Sequence, residues 1–174
     1  NLLLGLLLLY WNFPPKNALR SCIIWLIVYL IGMIVELIGV NTGLLFGTYQ
    51  YGENLGIKVF GVPILIGINW VVLTFLTANI ANRFIKNKWL AILCGSILMV
   101  ALDFFIEPSA LIFDFWSWES GTAPFRNFVD WFVVSFLLQI IVRKELPEKP
   151  ASYPIHHLAS QFVFFLFFYV YFKL

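Results

Sequence analysis

Apolar runs long enough to cross a bilayer recur along these 174 residues, separated by short stretches rich in proline, glycine and charge. A membrane-spanning helix needs about 20 predominantly apolar residues, so the pattern predicts an all-α, polytopic transmembrane helix bundle. Composition points the same way. With 61% hydrophobic residues, 11% charged residues and a mean hydropathy of +0.91, the chain cannot coat a globular core with polar surface. Lipid has to cover it. Six segments are expected, at roughly 1–11, 18–40, 62–82, 88–106, 125–142 and 155–173, making a single integral membrane domain over 1–174. Period-two alternation is missing, which argues against a transmembrane β-barrel.

The segment boundaries follow from local chemistry. Asn12-Phe13-Pro14-Pro15 ends the first segment, because proline lacks the N–H and disfavours helical geometry in the residue before it. Pro63 suits the first turn of the third. The chain opens on Asn1 rather than Met, already inside an apolar stretch, so an upstream segment is expected to be missing or removed. A signal peptide over Asn1 to Tyr10 would lack a basic n-region, and the stretch reads better as the tail of a first helix.

Orientation comes from Lys and Arg, which gather in cytoplasmic loops. The first, third and fifth connections hold eight (Lys16, Arg20, Arg83, Lys86, Lys88, Arg143, Lys144 and Lys149), against three (Lys58, Arg126 and Lys173) on the other side. The odd-numbered loops of this multi-pass cell-membrane protein are therefore expected to be cytoplasmic. A net charge of +2, placed at helix ends, gives no reason to expect a nucleic-acid partner. Cys22 and Cys94 fall inside apolar runs without metal-ligand spacing, and packing roles are expected for both.

The acidic residues are distributed unevenly. Seven of nine (Glu36, Glu53, Asp103, Glu107, Asp114, Glu119 and Asp130) map to the two non-cytoplasmic loops or to the helix ends feeding them. Asn41, Thr42, Tyr49, Tyr51, Asn69 and Asn127 share that bias. An ionisable group within the hydrocarbon region is expensive and is by default a functional candidate, which singles out Glu36, Asp103 and Asp130. Asp103 and Glu107 are four apart, so on a continuing helix both share one face. A carboxyl pair that close holds one proton more readily than two charges, and one member can act as a general acid. The plainer alternative is that each carboxylate pairs with an arginine or caps a helix.

Glycine recurs at 39, 43, 47, 52, 56 and 61 in the loop after the second segment. Irregular backbone at membrane depth is tolerated where it is buried in protein or lines a cavity, so this loop is expected to be re-entrant or lid-like. The alternative is small residues permitting close helix packing. No Lys-Ser or Lys-Thr closes it into a phosphate cradle. In the fourth loop Trp116 and Trp118 stand beside carboxylates. They read either as an interfacial belt or as a π-rich wall around a long apolar substrate, able to stabilise a developing cation.

These loops also carry a resemblance. Glu36 to Trp70 reads Glu-x-x-Gly-Val-x-Thr-Gly, Phe-Gly-x-Tyr-x-Tyr-Gly, Leu-Gly and Gly-Val-Pro-x-x-Ile-Gly-x-Asn-Trp. A second region reads Asp103-x-x-x-Glu-Pro-x-Ala, then Phe-Trp-x-Trp and Pro124-x-x-Asn127. Together they resemble the membrane-embedded carotenoid hydratase family, which includes the carotenoid 1',2'-hydratases of bacteria and the bisanhydrobacterioruberin hydratases of archaea. The two regions span about half of the chain, and the hydrophobic layout agrees over nearly all of it. Family members usually carry more sequence at the start.

The resemblance implies a lyase of carotenoid biosynthesis, a hydratase adding water across the terminal isopropylidene bond of an acyclic carotenoid end to give a tertiary 1'-hydroxyl. The partners implied are a carotenoid within the bilayer, water, and neighbouring carotenoid enzymes. Such chemistry is cofactor-independent, and no metal is expected. A protonated carboxyl would deliver a proton to C2', and a positioned water would capture the cation at C1'. Asp103 or Glu36 is the candidate acid, and Glu107 or Asp130 its partner. Asn41, Thr42, Asn69, Tyr49, Tyr51 and Asn127 are candidates for binding water or substrate, and Trp70, Trp116 and Trp118 for the apolar wall. Two other functions compete. A small membrane carotenoid (lycopene-type) cyclase would use similar acid chemistry, and a small membrane transporter would also place carboxylates near the midplane. His156 and His157 fall on the opposite face and are too few for a di-iron hydroxylase; an interfacial position is expected. No Asp-rich, magnesium-binding run supports a prenyltransferase.

Overall fold

The computed structural model describes residue 5, residues 18–146 and residues 152–173. Five helices carry the described chain: α1 (Ala18–Thr42), α2 (Ile64–Phe84), α3 (Lys88–Ala110), α4 (Phe125–Val142) and α5 (Tyr153–Lys173). Each is long and apolar enough to cross a membrane. Apart from Gly5, the expected segment at 1–11 lies outside the described residues, which show five such helices where the whole chain was expected to have six.

Helix limits follow the sequence closely. Asn87 caps α3, its Oδ1 accepting from the N–H groups of Trp89 and Leu90 at 3.0 Å each, which satisfies two of the first-turn donors. The same helix runs past the expected limit at 106 to Ala110. Pro108 falls in its last turn, where a proline costs one hydrogen bond without stopping the helix.

The core surrounds α2. Trp70, Val71, Val72, Leu73, Phe75 and Leu76 are all buried, as expected of a helix apolar on every side. It packs against all four other helices. Their outer faces carry exposed apolar side chains, among them Leu26 and Ile34 on α1 and Val163 and Phe167 on α5, a surface suited to lipid and not to water. Cys22 is exposed on that face rather than packed, and Cys94 is half-buried. At the other end of the bundle, His157, near the start of α5, is buried against Gln161.

Two glycines bring α1 and α2 close together. A Cβ at Gly32 would lie 2.6 Å from Trp70 Cγ, and one at Gly67 would meet the ring of Tyr29. Because Gly32 is one turn from Glu36, the contact that seats Trp70 also aims its indole along the same face of α1.

The two long loops meet over one end of the bundle. Strand β1 (Tyr49–Tyr51) pairs antiparallel with β4 (Trp116–Trp118), and β2 (Lys58–Val59) forms a small hairpin with β3 (Val62–Pro63). Outside the ribbon, Asp114 Oδ2 accepts from the Glu53 N–H at 2.8 Å, and the Asn54 amide donates to the Phe113 carbonyl at 2.9 Å. Gly52 is needed there because a Cβ would strike Asp114. Along the glycine-rich loop, Gly39 and Gly52 allow close packing, and Gly43, Gly47, Gly56 and Gly61 take left-handed turns.

Candidate active site

Register in the β1–β4 ribbon decides the geometry. Tyr49 faces Trp118 and Tyr51 faces Trp116, and because side chains alternate along a strand, all four aromatic rings share one face. The rings touch across the pair at centroid distances of 5.0 and 6.2 Å. That face is turned into the bundle. Its hydroxyls reach Glu36 on α1, and its indoles reach Glu107 on α3.

Glu36 is 2% exposed and receives three donors. Tyr49 Oη donates to its Oε2 at 2.5 Å, Tyr51 Oη to the same oxygen at 2.8 Å, and Trp70 Nε1 to Oε1 at 3.1 Å. Three convergent donors suit a carboxylate anion, since a buried charge is tolerated only when it is fully hydrogen-bonded. Burial, reinforced by the charge of Glu36, pushes both tyrosine hydroxyls above their ordinary value of 10.0. They remain donors throughout the physiological range.

A second acidic centre lies on α3. Asp103, 3% exposed, accepts from Asn127 Nδ2 at 2.8 Å, and the same amide nitrogen stands 3.5 Å from Glu107 Oε1. The shared helix face expected for Asp103 and Glu107 is present, bridged by one amide from α4. Glu107 Oε2 accepts from Trp118 Nε1 at 2.8 Å and from Trp116 Nε1 at 3.3 Å. Among the described residues, Asp103 accepts from Asn127 alone. It is the carboxyl best suited to carry a proton.

Both centres face one cavity of about 40 Å³, measured as the room open to the centre of a water-sized sphere. Glu36, Tyr49, Tyr51, Asp103, Glu107 and Asn127 line it, together with Asn69, Trp116 and Trp118. A single water needs about 10–15 Å³ by this measure, so the cavity has room for a few. The Asn69 side chain makes no hydrogen bond among the described residues, which leaves its amide available to whatever occupies the space. Trp70 supports the site from behind, holding Glu36 while its ring stacks on Trp131 at 4.1 Å.

Besides Trp70, which stands behind the lining, three expected residues are placed elsewhere. Asp130 Oδ2 accepts from the Phe46 backbone N–H at 2.7 Å and from Arg126 Nε at 3.3 Å, and Arg126 also donates to the Leu44 carbonyl. Asn41 donates to the carbonyls of Leu37 and Phe60, and Thr42 to that of Ile38. None of the three lines the cavity. They hold the loop that shapes it, for their polar groups are spent on backbone.

The sequence reading missed Phe46, Ile66, Ile106 and Trp131, which complete the lining. Trp131 was within reach of inference, since it follows Asn127 by four residues on α4 and so shares its face. Phe46 was not. Its backbone is left-handed, with φ of 65°, an unusual conformation for a bulky residue. Asp130 holds it there.

A family model described as "Carotenoid biosynthesis protein" matches residues 1–174. A bisanhydrobacterioruberin hydratase from Haloarcula japonica is 26% identical over 110 residues, covering 56% of this chain and 36% of that protein. The match thus spans only about a third of that relative's length. No solved structure matches the chain.

Proposed function

The chain belongs to the carotenoid biosynthesis protein family, and on that premise we propose that it is a hydro-lyase, adding water to the terminal 1',2' double bond of an acyclic carotenoid. The observation carrying this reading is that two differently held acidic centres, Glu36 and the Asp103–Glu107 pair, face one cavity with room for a few waters. The relative named a hydratase supports it.

Each step has a residue suited to it. The Asp103 carboxyl gives its proton to C2', and the alkene's electron pair forms the new C–H bond. The tertiary cation left at C1' is stabilised by the Glu36 carboxylate and by the π faces of the tryptophan wall. A cavity water, oriented by Asn69 and the tyrosine hydroxyls, forms the C–O bond and passes its extra proton to Glu36. Transfer through cavity water from Glu36 to Asp103 restores the starting state. One water is consumed, and no electron donor or acceptor is needed.

A cyclase would have to exclude water and make room for a folded chain. A small cavity that gathers three carboxyls and an uncommitted amide favours hydration. The transporter reading has no comparable support. In this proposal the protein is multi-pass, with six spans forming one membrane domain and the odd-numbered loops in the cytoplasm. The active site then opens on the opposite side, and neighbouring carotenoid enzymes supply or consume the polyene. Expression in a host accumulating acyclic carotenoids tests the reading. Products heavier by one or two waters are expected, and unchanged or cyclised carotenoid would contradict it.

A further inference from the structure

The acidic cavity is far too small for a carotenoid. With about 40 Å³ of room it can admit an end group that displaces water, while the rest of the molecule must lie outside. The chain therefore has to cross one wall. Glu107, Trp116 and Trp118 form part of that wall, and the same three residues bound a second hollow of about 360 Å³ on the flank of the bundle.

This second hollow differs in character from the first. Phe104 of α3, Leu111 just past its end, Phe128 of α4 and Tyr169 of α5 line it, and Glu107 is its one ionisable group besides Tyr169. Phe104 lies 5.8 Å from both Phe128 and Tyr169 by ring centroids, so its sides are largely aromatic. At its edge Leu111 is 64% exposed and Phe104 45% exposed. Phe104 projects from a helix long and apolar enough to cross a membrane, and Leu111 follows its last residue, so on the Phe104 side the opening faces the apolar flank of the bundle.

Resting on the hydratase reading, we infer that this lateral groove holds the polyene shaft of the substrate. The end group passes the Glu107–Trp116–Trp118 partition to reach Asp103. Substrate is thus loaded tip first from within the bilayer. The groove adjoins the acidic cavity, because Glu107, Trp116 and Trp118 line both. Shape and rigidity favour the same occupant. A conjugated chain is flat, matches ring-lined walls, and loses little conformational freedom on binding, whereas a flexible acyl chain loses much more. The partition also explains why Glu107 is held by two indoles: its polar edge would otherwise face an apolar groove.

Leu111→Trp narrows the groove without touching the acidic cavity, and Val133→Trp, at a residue 50% exposed on α4 and outside the groove lining, controls for bulk on the outer surface. Each protein, reconstituted in lipid nanodiscs, is assayed for two properties. Binding is read from the absorption shift and induced circular dichroism of an acyclic carotenoid whose terminal bonds are saturated, so that it cannot react. Hydration is measured with the long unsaturated carotenoid and with a short terpenoid alkene bearing the same isopropylidene end. In Leu111→Trp, binding and the KM for the long substrate should each worsen by at least about tenfold, a pocket-occlusion effect of ordinary size, while turnover of the short alkene stays unchanged. Val133→Trp should match the wild type throughout. Unaltered binding of the saturated carotenoid by Leu111→Trp, equal loss in both tryptophan variants, or displacement of the probe by phospholipid acyl chains alone would overturn the groove assignment. Groove-dependent binding without any hydration by the wild type would retain the groove and reject the hydratase reading.

Discussion

Tyr49 and Trp118 face each other across the two-stranded ribbon, and each donates to a different carboxylate, Tyr49 to Glu36 at 2.5 Å and Trp118 to Glu107 at 2.8 Å. A single cross-strand pair therefore fixes the position of two acidic groups carried by separate helices. Disturbing the ribbon should disturb both centres together.

The tyrosines make this testable by pH. Their hydroxyls ionise less readily in the folded protein than in the unfolded chain, because of burial and the adjacent Glu36 charge. Above about pH 10 the unfolded chain releases these protons while the native protein keeps them, so stability is full below that point and falls as pH rises beyond it. The Tyr49→Phe/Tyr51→Phe double variant should be less stable at neutral pH and should lose part of that alkaline decline. Thermal unfolding in detergent at graded pH measures it. An alkaline slope identical to the wild type would contradict the placement of the tyrosines.

The two indoles on Glu107 are not equivalent. Trp118 donates at 2.8 Å and Trp116 at 3.3 Å, and the shorter bond to a carboxylate is the stronger. Replacement by Phe keeps an aromatic ring and removes the donor. Trp118→Phe should reduce kcat by about 10- to 100-fold, in line with losing one well-aimed donor, and Trp116→Phe by less. Steady-state hydration kinetics give the ranking, and a reversed order would refute it.

Gly32 seats Trp70 against α1, with no space for a Cβ. Gly32→Ala should cost about 1–3 kcal/mol of stability, as overpacking in a tight interface does. It should also weaken the Trp70–Glu36 bond, so activity falls further than the loss of folded protein accounts for. Comparing active fraction with folded fraction decides the point.

Asp130 holds Phe46 and Arg126 and does not line the cavity. Asp130→Asn is expected to lower stability and overall activity while leaving the pH dependence of kcat unchanged, since no proton passes through it. A lost or shifted limb in the pH profile would return Asp130 to the chemistry.

How far the sequence reveals this molecule depends on the range of the interactions involved. Apolar run length located α1 to α5 to within a few residues, because the cost of exposing backbone to lipid acts locally on every turn. The 103/107 spacing placed Asp103 and Glu107 together because a helix alone determines it. The ribbon was harder. Tyr-x-Tyr and Trp-x-Trp each carry the period of a strand, but two three-residue strands separated by more than 60 residues become a ribbon only once the helices have brought their loops together. Asp130 was misleading for the same reason, since its partner is a left-handed backbone N–H 84 residues away. Residue type placed it in the chemistry, and long-range pairing assigned it to the loop.

On the proposed mechanism, water enters the product under the control of Asp103 and Glu36. The direct measurement follows conversion of an acyclic carotenoid in water enriched with heavy oxygen, by wild type and by Asp103→Asn and Glu36→Gln reconstituted in lipid. One labelled tertiary hydroxyl per reacted end is expected in the wild type, with conversion lowered at least about 100-fold in each variant. Product without the label, or full conversion by either variant, would contradict it.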